Sequence, residues 1–222
     1  MKLTRSLSFF IGLIGLSIVI IIHELGHLIA AKLSNVPVAL FSIGFGPKLV
    51  SLSIGPTIYQ IAVLPLGGFV EISQQSLDIQ PYPIQAFILL AGIFANILLA
   101  FTILFIFHLK NVNIKQMIHQ ATQQYNQTVM GPIGIISLIS YSALLGPSYF
   151  FLILASLSIS IAVFNLLPIP FFDGGQLAWY TMETFTGPLH NQPFNTLSNI
   201  FMAIFLILFI YITIQDIRFL RR

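Results

Sequence analysis

The sequence has no cysteine and very little charge. Charged side chains make up 7% of its 222 residues, against about 25% in soluble domains. Without cysteine, disulfides and thiolate chemistry are excluded; the absence says little about compartment. The nine Lys and Arg residues lie singly or in a short C-terminal cluster. No basic stripe of the kind that binds nucleic acid is present, so no nucleic-acid partner is expected. There is no internal repeat.

What the chain has instead is apolar length. It is 57% hydrophobic with a mean hydropathy of +0.95, which marks an integral membrane protein whose partner is the lipid bilayer. A spanning helix needs about 20 apolar residues, and four segments qualify: 6–33, 84–109, 149–167 and 197–214. Lys2 and Arg5 ahead of an apolar run are reminiscent of a signal peptide. His23, Glu24 and His27 stand where such a segment would end in small residues, so a retained first span is expected.

Residues 36–73 differ. Gly44, Gly46-Pro47, Gly55-Pro56 and Gly67-Gly68 interrupt short runs rich in Val, Ile, Leu, Phe and Tyr, a pattern of short strands joined by turns. Two or three such strands at the membrane surface are expected. The expected fold is therefore an α-helical multi-pass membrane protein with about four transmembrane helices. A small membrane-associated β-hairpin region follows the first helix. Ile114, Met117, Ile118, Ala121 and Tyr125 recur at helical spacing and predict a surface helix. The apolar segment 131–145 is too short for a span and is expected to dip into or lie along the membrane. The whole chain, 1–222, reads as a single membrane-embedded core.

The first span contains HELGH. On a helix, residues i and i+4 share a face, so His23 and His27 project together. Two imidazoles at this spacing ligate zinc, and the intervening glutamate serves as general base. Ionisable residues are rare inside membrane helices and usually functional there. Three within five residues, His23, Glu24 and His27, point to a metal site rather than packing.

Two histidines leave such a site short of a ligand, because three protein ligands are usual. The extended motif with a third histidine fails, since Ala30 and Leu33 hold its Gly and His positions. The candidate carboxylates are Glu71, Asp78, Asp173, Glu183 and Asp216. From Arg5 to His23 the first helix climbs about 27 Å, and from Tyr149 to Leu167 the parallel third helix climbs about the same. The following stretch, NLLPIPFFDGGQ (165–176), thus reaches the depth of HELGH. Pro168 and Pro170 break the helix, so an irregular segment presenting Asp173 is expected. Gly174 and Gly175 are expected to supply unusual backbone angles there. Asn96, in the second span, reads as a helix–helix hydrogen-bonding residue.

HELGH together with NLLPIPFFDGG resembles the site-2 proteases, the intramembrane zinc metalloproteases. FSIGFGPKL and LPLGGFVEI resemble that family's β-hairpin region. AGIFANILLAF resembles its A-G-P-x-x-N segment, with Ile93 in place of Pro, and GPIGI resembles the element before the third helix. The ordered set covers most of the chain. The resemblance implies one zinc ion held by His23, His27 and Asp173, with Glu24 as base. It places Asn165 beside the zinc as a substrate contact. It further implies transmembrane protein or peptide substrates, often trimmed first by a site-1-type protease, and a place in the bacterial cytoplasmic (inner) membrane. There is no room at 111–129 for the PDZ domain of many relatives, and no nucleotide-sensing domain is expected. Charge counting opposes the family's orientation. The side with the termini holds Lys2, Arg5, Lys110, Lys115, Arg218, Arg221 and Arg222, the other only Lys32 and Lys48. The competing classes are a membrane metal-handling or transport protein and a non-catalytic relative. Transport has no need of Glu24, and a degenerate relative is expected to lose a ligand or the base.

Overall fold

The structure is a computed structural model that describes residues 5–124, 131–187 and 191–220. Apolar runs with few charges, and with proline only in the first turn, form its long helices. In chain order these are α1 (Arg5–Leu33), the strands β1 (Val38–Ile54) and β2 (Thr57–Ile72), then α2 (Gln74–Asp78) and α3 (Tyr82–Leu109). They are followed by α4 (Ile114–Gln124), α5 (Pro132–Leu145), α6 (Pro147–Leu166), α7 (Asp173–Thr186) and α8 (Asn191–Leu220). Four stretches are long and apolar enough to cross a membrane: Phe9–Leu33, Tyr82–Leu109, Pro147–Leu166 and Phe194–Arg218. These are the four expected spans. The expected surface helix is α4; Tyr125, at the end of its pattern, lies outside the described residues.

Lipid tails supply little drive for apolar helices to leave them, so close packing and hydrogen bonds hold such bundles together. Small residues allow that closeness here. A Cβ on Gly26 of α1 would overlap the Ala91 carbonyl of α3, and one on Gly12 would overlap Ser140 and the Ile136 carbonyl of α5. The segment 131–145 is thus a helix packed tightly on α1, which also meets α6 and α8. Behind α1, the buried side chains of Val19, Ala100, Ile103, Ile139, Leu152 and Ala155 form one apolar core. A second core, around Leu28, Ala31, Val38, Phe41 and Ile88, joins α1 and α3 to the sheet.

The β-region has two strands, within the expected two or three, but they are long rather than short. The chain bends within each strand, where Gly44 (φ 93°) and Gly67 (φ 124°) adopt left-handed backbone. Residues 38–43 pair with 68–72 on one side and meet 58–61 on the other, while 48–54 pair with 57–62 across the Gly55 turn. Residues 68–72 thereby form an edge. A buried Ser17 hydroxyl donates to the Pro65 carbonyl at 2.5 Å, fixing β2 to α1.

Helix α6 ends where Pro168 and Pro170 forbid its continuation. Asp173 is the first residue of α7 and so stands on a helix, not within the irregular segment that precedes it. Nor do Gly174 and Gly175 take left-handed angles; both are helical. Their Cβ positions are already occupied by the carbonyls of Leu166 and Ile169, so the tight chain reversal excludes a side chain.

Helix α8 is the least packed span, with nothing buried across its most apolar window. Its anchor is Asp216. This buried carboxylate accepts the Gly131 amide at 3.1 Å and the Gly134 amide at 2.8 Å, capping the start of α5. Asp216→Ala removes the acceptor both amides share and is expected to cost about 1–3 kcal/mol, with Asp216→Asn retaining part of it. Thermal unfolding in detergent micelles measures this; equal melting temperatures for wild type and Asp216→Ala would show that the cap contributes nothing.

Candidate metal centre

Helical spacing brings His23 and His27 to one face of α1, their ring centroids 4.7 Å apart. Asp173 meets them from α7. Its Oδ2 lies 3.1 Å from His23 Nε2 and 3.2 Å from His27 Nε2, and the two Nε2 atoms are 3.2 Å apart. The expected third ligand is therefore at the depth the span lengths predict. Both histidines are buried.

The triangle is close to one face of a zinc tetrahedron. Ligand atoms roughly 2.0–2.2 Å from a tetrahedral ion stand roughly 3.3–3.6 Å from each other. The donor chemistry agrees. His27 Nδ1 lies 2.8 Å from the Ile88 carbonyl. A carbonyl can only accept, so Nδ1 carries the proton of neutral His27 and Nε2 carries a lone pair. Burial works against ionising Asp173, but the two imidazoles beside it outweigh that and hold the carboxyl down at about 2. The group is therefore an anion at neutral pH. Two ring nitrogens and an anion converging in a buried space suit a bound cation.

Room for that cation comes from α3. A Cβ on Gly92 would overlap His27 Nε2 and come within 2.8 Å of His23 Cε1. Gly92 belongs to the AGIFAN segment. It leaves open the volume into which both ligand nitrogens point.

Glu24, the third member of the trio, accepts the Val70 amide of β2 at 3.1 Å through Oε2. It lines a cavity of about 590 Å³ together with His23, His27 and Asp173. Val70, Glu71 and Ile72, on the 68–72 edge, line the same space, as does Asn165. The Asn165 carboxamide donates to the Ile161 carbonyl of its own helix at 3.0 Å. Of the other carboxylates, Asp216 caps α5 and Asp78 joins a clasp outside the triad. Tyr180 donates to Asp78 at 2.6 Å, and Gln74 donates to both Asp78 and Tyr180. Burial, and then the Asp78 carboxylate, push the Tyr180 hydroxyl well above its ordinary range. The clasp ties α2 to α7, seven residues beyond Asp173 on the same helix face.

One residue escaped sequence reasoning. Gly92 looks like any small residue in a span until α1 and α3 are placed side by side. Asn96 was expected to link helices, and it does so twice. Its backbone carbonyl accepts the Ser158 hydroxyl of α6 at 2.9 Å. The Asn96 side chain faces His23, with Nδ2 3.5 Å from His23 Nδ1.

A His-Glu-x-x-His helix among the candidate spans, joined by an aspartate from a separate helix, is the donor pattern of a membrane metalloprotease class. The chain matches peptidase family M50 over residues 11–209, and it belongs to that family, the site-2 proteases. It is similar to a "putative zinc metalloprotease" of Fusobacterium nucleatum, 36% identical over 108 residues, covering 45% of this chain and 32% of that protein. A protein of the same description from Clostridium perfringens is 42% identical over 101 residues, 41% of this chain and 30% of its own length. The chloroplastic "membrane metalloprotease ARASP" of Arabidopsis thaliana is 33% identical over 103 residues, 41% of this chain and 23% of that protein. In each pairing this chain spans a third or less of the relative. Zinc is the family's metal, and the donor set here fits it.

Gly92→Ala intrudes on the metal volume and presses on the His27 and His23 rings while leaving every ligand in the sequence. It is expected to lower bound zinc from one per chain to well under one while helical content, followed by circular dichroism, stays unchanged. Full zinc loading of Gly92→Ala, measured by elemental analysis, would contradict this placement.

Proposed function

We propose that the protein is a zinc-dependent intramembrane endopeptidase that hydrolyses peptide bonds in or near transmembrane segments of membrane-anchored substrates. The observation that carries this reading is the cavity. One space, flanked by membrane-crossing helices, is lined by the three metal donors, by Glu24 and by a strand edge. A metal store or transport site needs the donors and has no use for a free carboxylate beside them.

His23, His27 and Asp173 hold the zinc in this reading. When bound, zinc polarises the scissile carbonyl and favours deprotonation of the attacking water. Glu24 takes that proton and returns it to the leaving amine, with the Val70 amide orienting its carboxylate. Asn165, on the cavity wall, contacts the substrate backbone. The ionisable groups keep the cavity hydrated inside an apolar body.

A substrate helix hides its carbonyls in its own hydrogen bonds, so it must unwind before attack. The 68–72 edge supports a route for that. The Val70 amide points away from β1 and into the cavity, so neighbouring backbone groups on that edge can pair with an extended substrate. Such substrates are membrane proteins or peptides, trimmed in advance by a site-1-type protease. The corresponding location is the bacterial cytoplasmic membrane. The orientation we favour is the family's, with the metal toward the cytoplasm; a reporter fused to the C-terminus and active in the cytoplasm would reverse it.

Glu24→Gln is expected to keep one zinc per chain and to lose at least a thousandfold in cleavage of a membrane-spanning peptide. Retained cleavage in this variant would exclude Glu24 as the base. A wild-type chain that binds zinc yet cleaves no such peptide would favour metal handling or a non-catalytic relative. For the strand edge, peptides N-methylated at alternate positions beside the scissile bond are expected to fall about tenfold or more in kcat/KM. Equal cleavage of methylated and unmethylated peptides would sink the strand-pairing route.

A further inference from the structure

Asn96 is fully buried, and its Oδ1 is the only buried side-chain polar atom without a hydrogen-bond partner among the described residues. Beside it lies an unresolved pairing. For His23 to aim a lone pair at the metal through Nε2, the neutral imidazole must carry its proton on Nδ1. The atom facing Nδ1 at 3.5 Å is the Asn96 nitrogen, Nδ2. Nδ1–H and Nδ2–H are both donors and form no bond.

A half-turn of the carboxamide exchanges its oxygen and nitrogen at almost unchanged shape. The oxygen then meets His23 Nδ1–H, so the orphaned acceptor gains a donor. The donor–donor pairing becomes a hydrogen bond, and the amide nitrogen takes the oxygen's former place. His27 already shows this arrangement, with its Nδ1 held by the Ile88 carbonyl at 2.8 Å. Both acceptors then come from α3, eight residues apart, and both imidazoles are fixed with Nε2 toward Asp173. The Ser158 hydroxyl on the Asn96 carbonyl keeps this turn of α3 in place.

We propose that Asn96 is a positioning residue for the metal ligand His23, its carboxamide oxygen accepting Nδ1–H and so fixing the tautomer that leaves Nε2 free for zinc. This rests on the zinc-site reading above.

The test compares Asn96→Leu, which keeps the bulk and removes the acceptor, with Asn96→Asp, which can only accept when ionised. Zinc affinity of the full chain in detergent is measured by competition with a chelator. Nitrogen NMR of histidine-labelled wild type reports the His23 tautomer. Removing such an outer partner is expected to weaken zinc binding about 10–100-fold in Asn96→Leu, while Asn96→Asp stays within about threefold of wild type or binds more tightly. The zinc-loaded wild type is expected to show His23 protonated at Nδ1. Equal affinities for the two variants, or a zinc-loaded His23 without a proton on Nδ1, would overturn the proposal while leaving the metal site standing. A wild-type chain that binds no zinc would overturn the metal reading itself. The NMR arm can still overturn the proposal if a variant fails to fold.

Discussion

The structure is organised around one buried meeting of donor atoms. Two imidazole nitrogens and a carboxylate oxygen are held 3.1–3.2 Å apart in a buried space. Without a cation or protons among them, that arrangement is costly. It persists because each donor is fixed from behind. The Ile88 carbonyl holds the His27 ring, and the reversal packed around Gly174 and Gly175 holds the start of α7. The glycine contact between Gly26 and Ala91 brings α3 near enough for Gly92 to leave the central volume open. The bundle's energetics and its chemistry therefore meet in the same few residues. The small side chains that permit helix contact are also those that make space for the ion.

The parts legible in the sequence are those governed by fixed lengths. A helix rises a constant distance per residue, so spans of similar length place HELGH and Asp173 at one depth, and i, i+4 spacing places His23 with His27. The four spans were readable for the same reason, as apolar length is a direct requirement of the bilayer. The parts that were not legible depend on distances between elements. Gly92 matters through an atom of another helix. Gly174 and Gly175 are explained by carbonyls pressing on them rather than by their own backbone freedom. The sheet was expected as short separate strands because glycine punctuation marks where a strand bends as readily as where it ends.

The family match over residues 11–209 accounts for the ordered motifs, while the relatives' alignments each cover less than half of this chain. The geometry of the site extends beyond what the motifs alone carry. It shows which side chains stand behind the ligands, and that the strand edge and Glu24 are joined by one hydrogen bond. The supposed general base and the supposed substrate edge are thus mechanically one unit.

The far half of the hairpin carries a consequence of its own. Leu49, Val50, Leu52, Ile54, Ile58 and Ile61 are all exposed there, and apolar residues occupy both faces. Such a ribbon belongs among acyl chains, yet its outer backbone groups cannot be left bare in hydrocarbon. The two demands balance only near the boundary between tails and headgroups. The hairpin is continuous with the 68–72 edge, so that boundary sets the height of the edge relative to the bilayer. Under the function proposed above, the membrane itself would serve as a depth gauge, selecting which stretch of a substrate helix is drawn out level with the metal centre.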